Sequence, residues 1–123
     1  MTNAARVAPW PAELRFNKAR AELTMRFEDG REAAIPYELL RVESPSAETQ
    51  GHGSEAPPPP AKKRHVSVTG AEPVGRYALR IRFSDGHDTG LYTWAYLSEL
   101  AEQKASRMAA YLGRLKDAGL SRE

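Results

Sequence analysis

Residues 83–94 have the sequence FSDGHDTGLYTW, and the predicted fold is organised around them. Asp85-Gly86 predicts a tight turn, because glycine tolerates positive φ and an aspartate side chain can hydrogen-bond the backbone across the turn. Residues 77–83 alternate apolar and polar side chains, which is typical of a half-buried strand. Residues 89–92 can pair back with that strand, so we predict a hairpin that runs into a helix near Trp94.

His87 lies at the mouth of this hairpin and is the histidine framed by predicted structure on both sides. We interpret it as a solvated turn residue. The alternative is a functional role, since histidine changes its charge near neutral pH and is a common metal ligand.

A sequence similar to this hairpin occurs earlier in the chain. Residues 23–30, LTMRFEDG, match residues 79–86, LRIRFSDG, at five of eight positions. Each copy is followed by a short apolar strand and then by a helical pattern. Asp-Gly hairpins are common, so chance similarity is the alternative to the interpretation we prefer, a pseudo-repeat of two strand–turn–strand–helix units.

Periodicity along the chain predicts an α+β fold. Alternating side chains favour strands in four further segments, residues 13–17, 22–27, 31–35 and 65–69, and residues 70–75 are predicted to be a connecting turn. Pro36 suits the first turn of a short helix over residues 36–42, where its missing N–H costs no hydrogen bond. The predicted architecture is a small, mainly antiparallel sheet of two pseudo-repeated hairpin-plus-helix units, with a long C-terminal helix.

The C-terminal helix is predicted over residues 93–118, with Thr93 as its N-cap. Apolar side chains recur at spacings of three and four and form a stripe that faces a core: Trp94, Leu97, Ala101, Ala105, Met108, Leu112 and Leu115. Beyond about residue 103 the helix is long for so small a sheet. That half is therefore a candidate surface for a partner protein or for a homodimer.

The length of 123 residues favours one domain, which we place at residues 13–118 between an N-terminal arm, 1–12, and a tail, 119–123. Four prolines at residues 57–60 predict a flexible loop over about 50–62. The chain has no cysteine, which excludes disulfides, thiol catalysis and cysteine-ligated metals. No apolar run suits a membrane span or a signal peptide, so we expect a cytoplasmic protein without a membrane partner.

Charge gives no indication of a nucleic-acid partner. Eighteen basic residues are balanced by sixteen acidic ones. The one basic cluster, residues 62–65, has no interleaved aromatic side chains for stacking on bases. We interpret it as the solvated end of a linker, and we expect no nucleic acid to bind.

With these residues in view, the chain resembles the γ-butyrobetaine hydroxylase-like N-terminal domain family. The resemblance covers about residues 13–100 and is carried by six segments: residues 14–16, 27–30, 40–48, 51–53, 70–75 and 83–96. It implies a small domain that occurs alone in bacteria. It also implies a domain that precedes the dioxygenase part of γ-butyrobetaine and trimethyllysine hydroxylases, or is attached to some P-loop iron–sulfur carrier proteins.

In the hydroxylases, the resemblance implies a zinc module with the pattern Cys-x-Cys-x-x-Cys after the first short helix and a histidine in the second hairpin. These positions fall here on Ser44, Ser46, Thr49 and His87, so only the histidine is kept. Hydroxyl groups do not replace thiolates as zinc ligands. We therefore expect the family's structural zinc to be lost and no cofactor to be bound.

The dioxygenase iron site is not expected either. It needs two histidines and a carboxylate in a facial triad. The three histidines of this chain are His52, His65 and His87, and none has Asp or Glu two residues later. Hydroxylase activity is therefore not carried over to this chain.

Three functions remain open on the sequence. The interpretation we prefer is a non-catalytic accessory or protein-interaction module with a protein partner, not an enzyme. The alternative is a module that binds iron or zinc through His87 and His52, linked to iron–sulfur or dioxygenase proteins. Asp85, Asp88 or Glu48 would complete its ligand set. An enzyme acting on a small amine rests on the family name alone.

Overall fold

The computed structural model describes residues 11–45 and 58–123 and confirms the α+β fold. The described residues form six strands and three helices in this order: β1 Pro11–Asn17, β2 Glu22–Phe27, β3 Glu32–Pro36, α1 Tyr37–Val42, β4 Val68–Val74, β5 Ala78–Phe83, β6 Leu91–Thr93, α2 Trp94–Glu102 and α3 Lys104–Asp117. Within these ranges no helix is both long and apolar enough to cross a membrane.

The strands form two antiparallel sheets of three strands each, ordered β1-β2-β3 and β4-β5-β6, where a single small sheet was expected. Each sheet ends in a strand that runs directly into a helix, β3 into α1 and β6 into α2. The apolar side chains of both sheets and all three helices belong to one buried cluster, with Leu23, Ile35, Ile81, Leu97 and Leu100 fully buried. One core therefore joins two sheets that share no strand.

The pseudo-repeat is confirmed in the geometry of the two turns. Gly30 and Gly86 adopt φ of 90° and 91°. Their N–H groups donate to the carbonyl oxygens of Phe27 and Phe83 at 2.9 and 3.0 Å. Positive φ favours glycine at both positions, so the repeated Asp-Gly pair specifies the same turn twice.

The fourth strand lies later than predicted. The prediction placed it at residues 65–69, with a turn over 70–75, whereas β4 is Val68–Val74. β4 is an edge strand that pairs only with β5, so Pro73 breaks no ladder bond on its open side. The pairing register shifts between Val68 and Gly70, which indicates a bulge where glycine is tolerated.

The predicted C-terminal helix is two helices that meet at Gln103, which has φ −102° and ψ 16°. The break changes which face is buried. Tyr111 is fully buried and Leu115 is 3% exposed, whereas Leu112 of the predicted stripe is 38% exposed. Ala105, just after the break, is also exposed. The break allows α3 to pack against α1 instead of extending away from the domain.

The C-terminal tail pairs with the chain that leads into β4. Lys62 and Arg64 donate backbone N–H bonds to the carbonyl oxygens of Ser121 and Arg122 at 2.8 and 2.9 Å. The Arg122 guanidinium also donates from Nε to Glu38 Oε2 at 3.1 Å. The arm up to residue 10 and residues 50–57 of the predicted flexible loop lie outside the described residues.

The predicted N-cap of α2 is confirmed, because Thr93 Oγ1 accepts the Tyr96 N–H at 3.0 Å. We expect Thr93→Ala to lower the free energy of unfolding by about 1 kcal/mol, since a helix N–H loses its partner. Thr93→Ser keeps the hydroxyl and should be close to wild type. Urea titration of the three proteins measures this, and an equal loss in both variants would contradict the capping role.

Candidate functional site

His87 is buried, so its interpretation as a solvated turn residue is wrong. The residue is 7% exposed, and its Nε2 lies 2.8 Å from Ser44 Oγ, with which it shares a hydrogen bond. Its backbone N–H donates to Asp85 Oδ1 at 3.1 Å. The turn that begins at Phe83 therefore directs the imidazole inward, onto the end of α1.

Ser44 follows α1 and is 3% exposed. The backbone of Gly90 passes so close that a Cβ at that position would overlap the Ser44 hydroxyl. Next to it, the Tyr92 hydroxyl donates to the Leu40 carbonyl oxygen at 2.5 Å. Burial raises the pKa of Tyr92, so this phenol stays protonated and acts as a donor.

Asp85 is the charged centre of the site. Its Oδ2 accepts from Arg41 Nε at 2.7 Å and from Lys63 Nζ at 2.6 Å, and the side chain is 21% exposed. Partial burial alone would raise its pKa, but the hydrogen bonds from Lys63, the His87 N–H and Arg41 outweigh burial and lower the pKa to about 2. Arg41 Nη1 is buried and has no hydrogen-bond partner among the described residues.

A second set of contacts joins α2 and α3 to the end of α1. The Tyr96 hydroxyl donates to the Glu43 carbonyl oxygen at 2.5 Å, and Arg107 Nη1 donates to Glu43 Oε1 at 2.5 Å. The Arg107 guanidinium also lies 5.7 Å from the centre of the Tyr96 ring and pairs with Glu99. Burial, with the nearby Glu43 charge, raises the pKa of Tyr96. The segment before Ser44 is therefore held from two sides.

The structure brings together three of the residues singled out in the sequence, Ser44, His87 and Asp85, whereas Asp88 is exposed. Ser46, Glu48, Thr49 and His52 lie outside the described residues. His65 is far more exposed, with 80% of its side chain accessible, and lies 3.5 Å from Glu123. In the described part of the chain, no three His, Cys, Asp or Glu side chains cluster as a metal site would need.

A hydroxyl in hydrogen-bond contact with an imidazole is the first element of a nucleophile–base pair. Here both groups are almost completely buried, and Gly90 closes over the hydroxyl. The pair therefore acts as a packed internal contact that joins the second hairpin to α1. Arg41, Lys63 and Tyr92 complete the site and were not singled out in the sequence; they come from three distant segments, and no local pattern marks them.

The fold and the site define a small α+β domain in which two pseudo-repeated hairpin–helix units enclose a serine–histidine pair. The chain belongs to the γ-butyrobetaine hydroxylase-like N-terminal domain family, whose model matches residues 14–98. This match confirms the resemblance seen in the sequence. The family is one of unknown function, and no functionally curated protein matches the chain.

Solved structures share the fold along most of the chain. One protein solved in solution by NMR is 44% identical, with a TM-score of 0.80 over 95% of this chain and 92% of the other. A second NMR structure is 38% identical, with a TM-score of 0.78 over 100% and 91% of the chains. A crystal structure of a protein of unknown function, of the DUF971 family from Acidithiobacillus ferrooxidans, is 37% identical, with a TM-score of 0.59 over 74% and 91%.

Two glycines provide a matched test of the packing around Ser44. Gly90→Ala should lower the free energy of unfolding by about 1–3 kcal/mol, because the new methyl group overlaps the Ser44 hydroxyl. Gly113→Ala, within α3, places its methyl group in open space and should raise stability by about 0.5–1 kcal/mol. Chemical unfolding measures both, and a stabilised Gly90→Ala would show that Ser44 is not closely enclosed.

The pKa of Asp85 predicts a pH dependence. A carboxyl whose pKa is lower in the folded state stabilises the fold above its unfolded pKa of about 3.9, and this contribution is lost as pH falls toward about 2. Asp85→Asn should therefore lose about 1–3 kcal/mol at neutral pH and show a weaker loss of stability between about pH 4 and pH 2. Asp88→Asn, at an exposed neighbour, is the control and should keep the wild-type profile.

Proposed function

We propose that this chain is a non-catalytic accessory module that acts by binding a protein partner. The observation that carries the proposal is that the polar groups of the candidate site bond to their own chain: His87 to Ser44, and Asp85 to Arg41 and Lys63. Groups engaged in this way hold two sheets together and are not presented to a substrate. Their role in the proposal is therefore to shape the domain.

The family context supports an accessory role. As the resemblance implies, such domains stand alone or are joined to dioxygenase or P-loop carrier proteins, and a domain attached to different enzymes fits a docking role better than one chemistry. We propose a cytoplasmic location for the stand-alone chain, and neither nucleic acid nor membrane as its partner. A homodimer through α3 is part of the same proposal, since Leu112 is exposed there.

A co-purification experiment tests the interaction function. The full chain, tagged and expressed in its own cells, should recover a protein partner in constant ratio. The same partner, made recombinantly, should bind the purified chain in isothermal titration calorimetry. A chain that binds no protein, but turns over a small amine under the same conditions, would contradict the proposal and favour an enzyme.

The second candidate function is an iron- or zinc-binding module that uses His87 and His52. One observation favours it: the His87 imidazole and Ser44 meet in a buried position, where the family pattern places metal ligands. Imidazole nitrogen suits both iron and zinc, and a serine hydroxyl is a poor ligand for either. The module would then need ligands from residues beyond Ser44 in the sequence.

Metal analysis distinguishes the two functions. We expect the full chain, purified without chelators, to carry much less than one metal per chain, with no rise in melting temperature on adding Zn²⁺ or Fe²⁺. His87→Gln keeps a hydrogen-bonding group near Ser44 and should leave the metal content unchanged. One metal per chain that is lost in both His87→Gln and His52→Ala would replace the interaction proposal with the metal function.

A further inference from the structure

Among the residues that the structure describes, strand β3 forms an open edge of the first sheet. Within that sheet it pairs only with β2, and the bond from the Phe27 N–H to the Arg31 carbonyl oxygen sets the pattern of its ladder. In an antiparallel pair alternate residues bond to the neighbouring strand. Ala33 and Ile35 therefore bond to β2, and the backbone N–H groups of Glu32 and Ala34 point away from the sheet.

Two open grooves flank this edge, one on each face of the sheet. The inner groove, of about 480 Å³, lies between β3 and α2 and is lined by Phe27, Ala33 and Ala101 among others. The outer groove, of about 570 Å³, lies on the polar face and is lined by Thr24 and Arg26 among others. Both grooves include Glu32, Ala33 and Ala34, so they meet at the same short stretch of backbone.

The pseudo-repeat relates the inner groove to the buried serine–histidine site. Ala101 follows the N-cap of α2, Thr93, by the same number of residues as Ser44 follows the N-cap of α1, Pro36. Ala101 lies beside the Asp-Gly turn of the first unit, and Ser44 lies beside that of the second. In the second unit the chain that leaves α1 fills this position, with Ser44 against the Gly90 backbone. In the first unit no described segment of the chain fills the equivalent position beside β3. The fold therefore has two related positions, of which one holds a segment of polypeptide.

The charges around the inner groove favour a basic occupant. Glu32 and Glu102 make no ion pair among the described residues. Of the two cations that line the groove, Arg31 pairs with Asp29 at 2.7 Å, whereas Lys104 Nζ donates to the neutral Ala34 carbonyl oxygen at 2.9 Å, so one ammonium group stands against two unpaired carboxylates. Ser98 Oγ is buried beside the groove and has no hydrogen-bond partner among the described residues. In the described part of the chain, the β3 edge thus has two carboxylates without an ion-pair partner, Glu32 on the outer face and Glu102 beside the inner groove, next to the apolar floor of that groove.

We propose that the β3 edge binds an extended, basic peptide segment of a partner protein, which adds to the first sheet as a further strand. The inference rests on the proposed interaction function and names its surface. An added strand gains main-chain hydrogen bonds at Glu32 and Ala34, and its side chains alternate between the two faces of the sheet. Apolar residues would enter the inner groove, polar residues would lie on the outer face, and a Lys or Arg would meet Glu102.

Lys104 protects this edge in the free protein. Its ammonium group donates a hydrogen bond to the Ala34 carbonyl oxygen, which is the acceptor that an added strand would use. The lysine must leave that oxygen when the peptide binds. Lys104→Ala should therefore strengthen peptide binding several-fold. Replacing a lysine outside the binding surface with alanine should leave the affinity unchanged.

The test selects peptides from a phage-displayed random library on the full-length protein and measures their affinity by calorimetry. We expect selected sequences to alternate apolar and polar residues, to include Lys or Arg, and to shift the amide NMR signals of Glu32, Ala34 and Ala101. Ala34→Pro removes an outward N–H without removing a β2 bond, and Ala101→Lys fills the inner groove and adds a positive charge that repels a basic peptide. Each should weaken binding by about tenfold or more.

Ala105→Lys introduces the same charge at an exposed position of α3 and is the matched control, with unchanged affinity expected. Circular dichroism checks that each variant is folded, and Ala101→Lys carries the test if Ala34→Pro does not fold. If selected peptides shift signals of β4–β6 instead, the edge inference is wrong and the interaction function stands. If no peptide binds, or if the β3 signals report contacts with residues 1–10 or with a second copy of the chain, the inference is also overturned.

Discussion

The contact between His87 and Ser44 is the point where the two halves of this domain meet. The two sheets share no strand, so no backbone ladder runs from one to the other. Their connection depends on packing in the common core and on a few long-range polar contacts, among them the buried 2.8 Å bond between these side chains and the bond from the Tyr92 hydroxyl to the Leu40 carbonyl oxygen. A buried hydrogen bond is worth about 1 kcal/mol when made and costs more when one partner is left unpaired, so these contacts also define how the halves fit.

The two turns of the pseudo-repeat have the same backbone geometry but different surroundings. Both Asp-Gly turns have the same backbone geometry, but Arg31 lies exposed after the first, whereas His87 is buried after the second. The difference comes from the opposite unit: the chain leaving α1 approaches the second turn closely, because Gly90 makes room for it. At the first turn the chain leaves α2 into α3, and a groove remains. Similar sequences thus produce one closed position and one open one.

The features that the sequence predicted correctly are those that depend on interactions between residues close together in the chain. The two Asp-Gly turns, the strands that flank them and the Thr93 cap each depend on residues within a few positions of one another. The burial of His87 was missed because it depends on Ser44, more than forty residues away. The break at Gln103 was missed for a similar reason: neither proline nor glycine marks it, and it lets Tyr111 pack into the core, where its hydroxyl reaches the Pro60 carbonyl oxygen. Both features depend on packing between residues that are far apart in the sequence, and the spacing of apolar residues within one segment does not reveal such packing.

The serine at position 44 changes what holds this site together. In the zinc modules that the resemblance implies, thiolates and a histidine would be tied by a metal, and a structural zinc contributes about 10–16 kcal/mol of binding free energy to folding. A single hydroxyl–imidazole bond contributes about a tenth of that. This chain has the histidine and no thiolates, and the Asp85 ion pairs with Arg41 and Lys63 and the bond from the Tyr92 hydroxyl to α1 make further contacts of the second unit. The site thus joins the two units of this chain through contacts between its own side chains.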